Sequence, residues 1–261
     1  MDDSPRVVVV ADAWAVAVAS ASVVRDVLTA GKGDQPLHVA LTGGSSAEGL
    51  FRVLASPPIR DTIPWDRVHL WLGDDRFVGR SDPLSNAGVA DRFLFAGPVE
   101  GPGEPGVPVD PGHVHPIPCD AALDAGRDAA WCAEIYAREL RDLVPADADG
   151  WPVFDLLLVG IGSDGHLLSV FPDSAIFDRP EWALPVPAPT HIAPGVPRVT
   201  LNPRIIGTAR AVLAMSDGPA KADILGTIFG SERDPHRWPA QLALRAGATW
   251  VLDEAAAAQL P

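Results

Sequence analysis

His166 stands where an apolar run stops abruptly. The run Phe154-Asp155-Leu156-Leu157-Leu158-Val159 gives way to Gly160-Ile161-Gly162-Ser163-Asp164-Gly165-His166. Such a run, bounded by turn residues, reads as a strand buried on both faces of a parallel sheet. Ligands of open α/β sheets bind beyond the carboxyl ends of the strands. The segment therefore puts a carboxylate and an imidazole where ligands bind, and imidazole is suited to proton transfer near neutral pH. A tight strand-to-helix turn carrying a solvated histidine would share this sequence.

Three further groups could complete a site for an anion. Thr42-Gly43-Gly44-Ser45-Ser46 joins a strand to a helix, where glycines allow close backbone approach and helix-start amides offer donors. It matches neither the dinucleotide fingerprint nor the P-loop, and a glycine turn with a serine cap is the plain alternative. Asp74, Asp75 and Arg76 follow another buried-type strand. Arg76 could bind phosphate or carboxylate in bidentate fashion, or the three could form a solvated turn with an internal ion pair. Lys221 is one of two lysines beside 18 arginines and opens an expected helix after Ser216-Asp217-Gly218-Pro219. The helix dipole disfavours a cation there, so Lys221 serves either an anionic ligand or only the surface.

Other patterns lead away from chemistry. His113-Val114-His115 has a metal-like spacing but lacks a third ligand, so alternating strand residues are expected and no metal. Gly162-Ser163-Asp164-Gly165 misses the nucleophile elbow, because Ile161 stands two residues before Ser163. Trp14, Trp131 and Trp182 share no spacing and are expected to pack in the core.

The elements that must position these groups alternate. Strands are expected at Arg6 to Val10, Leu37 to Leu41, Val68 to Leu72, Phe154 onward, Arg198 to Leu201, Ala209 to Met215 and Thr249 to Leu252. Helices are expected at Ala13 to Leu28, Ala47 to Leu54, from about Asn86, at Asp120 to Leu143 (the longest), at Pro219 to Phe229 and at the end. Residues 97–118 hold seven prolines and five glycines and read as a loop with one short strand at His113 to Ile117. A second Pro-rich excursion runs from Phe171 to Pro197. The pattern is α/β: a single Rossmann-like domain over residues 1–261, with a mostly parallel sheet flanked by helices.

With 261 residues, 47% of them hydrophobic, the chain can bury a large core. Its 34 acidic against 20 basic residues give a formal charge of −14. That field opposes nucleic acid and anionic membranes, so an anionic ligand must rely on a few local cations. Cys119 and Cys132 form no CxxC pair and suggest free thiols in a reducing compartment. No uninterrupted apolar run spans a bilayer, and Met1-Asp2-Asp3-Ser4 does not open like a signal peptide, so a cytoplasmic protein is expected.

In this order the motifs resemble the 6-phosphogluconolactonase family. The likeness rests on Leu41-Thr42-Gly43-Gly44-Ser45, on Trp71-Leu72-Gly73-Asp74-Asp75-Arg76 with Ser85-Asn86, and on Gly160 to His166 with Ser169-Val170-Phe171-Pro172. Pro197-Arg198-Val199-Thr200-Leu201-Asn202 and Gly218-Pro219-Ala220-Lys221 extend it. Asp75 stands where the family usually has glutamate, and Leu167-Leu168 where it has Thr-Ala. The resemblance implies hydrolysis of 6-phosphoglucono-1,5-lactone in the oxidative pentose phosphate pathway, without cofactor. It implies His166 as acid–base, Asp164 as its support, and substrate contacts from Thr42, Gly43, Gly44, Ser45, Asp74, Arg76, Asn86, Arg198 and Lys221. Arg76, Arg198 and Lys221 would take the phosphate. The implied partner is a small phosphorylated sugar lactone, bound by a chain expected to be monomeric. Glucosamine-6-phosphate deaminases share the Asp-Gly-His turn but typically follow it with Asn-Glu-Pro, where this chain has Ser169-Val170-Phe171-Pro172 and no acid until Asp173. A repressor-type sugar-phosphate sensor would need a helix-turn-helix ahead of the first strand, which begins at Arg6.

Overall fold

The computed structural model describes residues 4–30, 33–96 and 106–261. In chain order the strands and helices are β1 (Arg6–Val10), α1 (Ala13–Ala30), β2 (Leu37–Leu41), α2 (Ser45–Leu54), β3 (Val68–Leu72), β4 (Asp74–Arg76), α3 (Asn86–Ala90) and β5 (Val114–His115). There follow α4 (Cys119–Asp124), α5 (Ala129–Leu143), β6 (Leu156–Gly160), β7 (Ala183–Val186), β8 (Arg198–Leu201), α6 (Arg204–Thr208), β9 (Ala211–Ser216), α7 (Ala222–Gly230) and β10 (Ala248–Asp253).

Seven strands make one parallel sheet in the order β1-β10-β9-β6-β2-β3-β5. Every residue of β2 is buried, as are the first four of β6, which is why these strands read as apolar runs. From β2 the chain winds outward through β3 to β5, then returns to β6 and winds the other way. The reversal lies between β2 and β6, and the loops leaving these strands open a crevice there. Those loops are Thr42–Ser45 and Ile161–His166.

A small antiparallel sheet, β4-β8-β7, lies beyond the carboxyl end of β3. Asp74, Asp75 and Arg76 are thus a strand, with both carboxyls buried, and not a solvated turn. β7 and a 3-10 turn at Ala175–Asp178 are the regular elements of the Phe171 to Pro197 excursion.

Four expectations change. The helix foreseen from Asp120 to Leu143 is broken into α4 and α5. Gly126 takes φ 62° at the break, and the Asp128 carboxylate caps α5 by accepting from Trp131 N at 3.0 Å. The longest helix is instead α1, with 18 residues and a mean hydropathy of 1.4. By length and composition α1 could cross a membrane, against the expectation of no such segment. Here it packs Val16, Ala17, Ala21, Val24 and Leu28 into the core and holds an Arg25–Asp26 ion pair outside. Trp14, expected to pack, is 61% exposed in the first turn of α1, whereas Trp182 is buried and donates to Gly150 O. The terminal helix is a run of turns over residues 254–259, too short a segment to offset helix nucleation. Of the Pro- and Gly-rich loop, residues 97–105 lie outside the described chain.

Toward the amino ends of β2 and β3, four histidines collect. His69 stacks on His113 (centroids 4.0 Å apart), and its Nδ1 lies 3.0 Å from His115 Nε2. His115 bonds Glu139 at 2.7 Å and stacks on Trp71, whose Nε1 donates to His38 Nδ1. Burial, aided by neighbouring histidines, pushes His38 and His69 down to about 4. Between pH 6.5 and about 4 the unfolded chain therefore binds protons at these sites that the folded chain refuses, so stability falls as pH falls. Asp75, which burial pushes up to about 6, acts oppositely below pH 6. Two histidines against one carboxyl leave a downward slope. A Tm lower by about 3–10 °C at pH 5 than at pH 7 is expected in a thermal melt. A flat profile would count against neutral burial of these rings.

Candidate active site

The crevice between β2 and β6 holds a cleft of about 220 Å³. Thr42, Gly43, Gly44, Ser45, Asp74, Arg76, Asn86, His166, Arg198 and Lys221 all line it. The sequence-expected residues are thus brought together from six separate segments. Asp164 stands behind His166 and is absent from the lining.

The loop after β6 holds the imidazole. His166 Nδ1 lies 2.5 Å from Asp164 Oδ1, which also accepts from His166 N at 3.1 Å. A carboxylate only accepts, so Nδ1 carries the hydrogen and Nε2 is left as the basic ring atom. Burial alone would raise the Asp164 carboxyl, but bonds from His166 and His191 together with the His166 charge hold it well below the usual range. A side chain at Gly162 would displace the imidazole: a Cβ would come 2.1 Å from His166 Nδ1.

The loop after β2 offers backbone. Gly44, at φ 94°, caps α2 without any side-chain hydrogen bond, leaving first-turn amides unspent beside the cleft. Gly43 permits the loop to lie on Asn86, since a Cβ would sit 1.8 Å from Asn86 Oδ1. Gly43→Ala is expected to lower stability by about 1–3 kcal/mol, seen as a drop in Tm. Gly207→Ala, with open space around it in α6, should hold or raise Tm. Equal Tm values for both variants would contradict the packing at Gly43.

The small sheet supplies charge. Arg76 and Arg198 are direct partners in the β4–β8 register. Arg76 donates to Leu84 O at 2.7 Å and Asn86 Oδ1 at 2.9 Å, and Arg198 to Pro194 O at 3.2 Å. The Nε of each is buried without a protein partner. Burial lowers the Arg198 guanidinium, countered by Asp74 and reinforced by Arg76. Asn86 also donates to Asp74 O and Oδ1, and Ser169 Oγ donates to Asp74 Oδ2 at 2.5 Å. Asn86 is therefore committed to Arg76 and Asp74. Lys221 Nζ donates to Ile161 O at 2.6 Å, which leaves two donors, and burial lowers its ammonium. The turn before it is fixed by Asp253, which accepts from Gly218 N at 3.0 Å.

Sequence reasoning did not give four residues the roles they hold here. Asp75 faces away from the cleft and caps α3, accepting from Asn86 N at 2.7 Å and Ala87 N at 3.0 Å. Ser169 ties Asp74 to the histidine loop, His191 bonds Asp164, and the Ser216 hydroxyl lines the cleft, buried and unpartnered. Only Ser169 carried a signal, its closeness to His166. Leu168, also lining the cleft, takes φ 53°, a strained value for a residue with a side chain.

Known proteins share this fold. The family model for glucosamine-6-phosphate isomerases/6-phosphogluconolactonase matches residues 11–251. A 6-phosphogluconolactonase of Streptomyces coelicolor is 34% identical, the match covering 100% of this chain and 97% of the relative. The crystal structure of 6-phosphogluconolactonase from Leishmania guyanensis superposes with a TM-score of 0.80 at 27% identity, covering 97% of each chain. A monomeric glucosamine-6-phosphate deaminase superposes nearly as well, with a TM-score of 0.75 at 17% identity over 97% of this chain and 99% of its own. Backbone shape alone therefore does not separate the two activities. From the model match and full-length identity, the chain belongs to the glucosamine-6-phosphate isomerase/6-phosphogluconolactonase family.

Proposed function

We propose that the protein hydrolyses 6-phospho-D-glucono-1,5-lactone to 6-phospho-D-gluconate, the second step of the oxidative pentose phosphate pathway. The observation that carries this reading is the facing pair Arg76 and Arg198. Like charges directly opposite in a sheet repel, and two buried Nε–H donors without partners are costly. A dianionic phosphate between them would remove both penalties. The full-length similarity to named lactonases supports the same reading.

His166 Nε2 takes a proton from water as the water oxygen attacks the lactone carbonyl carbon. Amides of the Gly43–Ser45 loop stabilise the oxyanion, while Arg76, Arg198 and Lys221 hold the phosphate. Collapse of the tetrahedral species breaks the bond to the ring oxygen, which receives the proton from the imidazolium. Ring opening leaves a carboxylic acid, which ionises, and a hydroxyl. The imidazole ends neutral, and Asp164 stabilises its cationic interval. Asp74 and Asn86 hold Arg76 in place. The scheme needs no cofactor, nucleic acid or membrane. The same reading takes the protein as a monomer built as one functional unit, in the cytoplasm, where two free buried thiols would stay reduced.

Deaminase activity is the second reading, because the fold admits it. Against it, the residues after His166 bring Ser169 to Asp74 and place no carboxylate at the turn before Asp173. A coupled assay on freshly generated lactone beside glucosamine 6-phosphate decides between them. Turnover of the lactone alone is expected; turnover of the amino sugar alone would reverse the assignment.

A further inference from the structure

We infer that His191 is a positioning residue for His166, acting through the carboxylate they share. This rests on the reading of His166 as the base. Asp164 lies between two imidazoles: Oδ1 takes His166 Nδ1 at 2.5 Å, and Oδ2 takes His191 Nε2 at 2.8 Å. The carboxylate is largely buried, at 18% exposure, while His191 is half-exposed on the loop leading into β8. That loop is fastened on two sides. Phe171 meets the His191 ring edge-on at 5.5 Å, packs on His166 at 4.8 Å and lies under the Arg198 guanidinium at 5.1 Å. Arg198 in turn donates to Pro194 O.

Two consequences follow for the base. With Oδ2 occupied, the carboxylate has no reason to rotate, so Oδ1 stays on Nδ1 and Nε2 keeps its aim into the cleft. The second donor also draws on the carboxylate's negative charge, and a protonated His191 would repel a protonated His166. Removing His191 withdraws both effects and leaves the full Asp164 charge facing the His166 imidazolium. The other charges acting on Asp164, Lys221 and Arg198, are unchanged by that substitution.

The test is an NMR titration of the His166 imidazole in the free protein, made with His191→Ala, His191→Asn and His191→Gln. Alanine has no donor, and asparagine is too short to reach Oδ2. Both should raise the His166 midpoint by about 0.5–1 pH unit. Glutamine places an N–H at the same reach and should restore at least half of the shift. The acid limb of kcat/KM on the lactone should move with the midpoint, while KM changes little. Asparagine stands in should the alanine variant fold poorly. A His166 midpoint equal in all four proteins would overturn the inference. Because the titration uses no substrate, a midpoint that shifts in a protein without lactonase activity would refute the function and leave the coupling intact.

Discussion

Replacing His166 with alanine is expected to lower kcat on 6-phosphogluconolactone by ~10²–10⁴, with a much smaller change in KM. The size follows from what the ring does in the scheme. It removes a proton from water as the carbonyl is attacked and returns it to the departing ring oxygen, so its loss weakens both halves of the reaction. Substrate binding rests on other groups, chiefly the guanidinium pair and the α2 amides, which is why KM should be spared. The lactone also opens unaided in water, so rates must be corrected for the spontaneous reaction before comparison. His166→Asn should do no better, because an amide neither takes nor returns a proton. Retention of near-wild-type kcat by either variant would remove His166 from the role. Asp164→Asn should fall in between, since its amide no longer opposes an imidazolium while the turn keeps its shape.

Much of this site is legible in the sequence because its parts sit at the ends of strands. A buried parallel strand announces itself as an apolar run, and the residues after it are exposed to ligand by topology. That logic located Thr42 to Ser45 after β2 and Asp164 and His166 after β6. It also explains Gly43 and Gly162, where the backbone passes too close to Asn86 and His166 for a Cβ. What the sequence hid are contacts between distant segments. His191 meets Asp164 across 27 positions, and Ser169 meets Asp74 across 95. His191 carries no local pattern, and Ser169 carries only its closeness to His166. The Asp75 cap on α3 was hidden for another reason: an acid beside Asp74 and Arg76 reads as charge for the site, whereas packing turns it to the backbone amides of Asn86 and Ala87. Helix ends misled where a short signal was outweighed by a long one. The alanine-rich stretch from Asp120 to Leu143 looked continuous, yet Gly126 and Asp128 carried the stop and start that divide it.

Truncating Arg198 or Lys221 to alanine should cost about 1.5–3 kcal/mol in kcat/KM on the phosphorylated lactone, the range for a hydrogen bond to a charged group. The acidic chain, at −14, repels a phosphorylated ligand at long range, so local cations must do the holding. Arg76 and Arg198 face each other in register, and Lys221 enters from the turn before α7. Phosphate is remote from the lactone carbonyl, so the clamp both holds and orients the reacting end. The penalty should nearly vanish on unphosphorylated gluconolactone, which never engages the clamp. A measurement without turnover separates charge from packing. Inorganic phosphate should raise the Tm of the wild-type protein by binding the folded state, and the rise should be much reduced in the Arg198 variant. Arg198 also lies against Phe171, so its truncation disturbs packing near His166, and that loss would appear on both substrates alike. Equal penalties on the two lactones, with the phosphate-induced rise intact, would mean that these cations hold the fold and leave the phosphate to other groups.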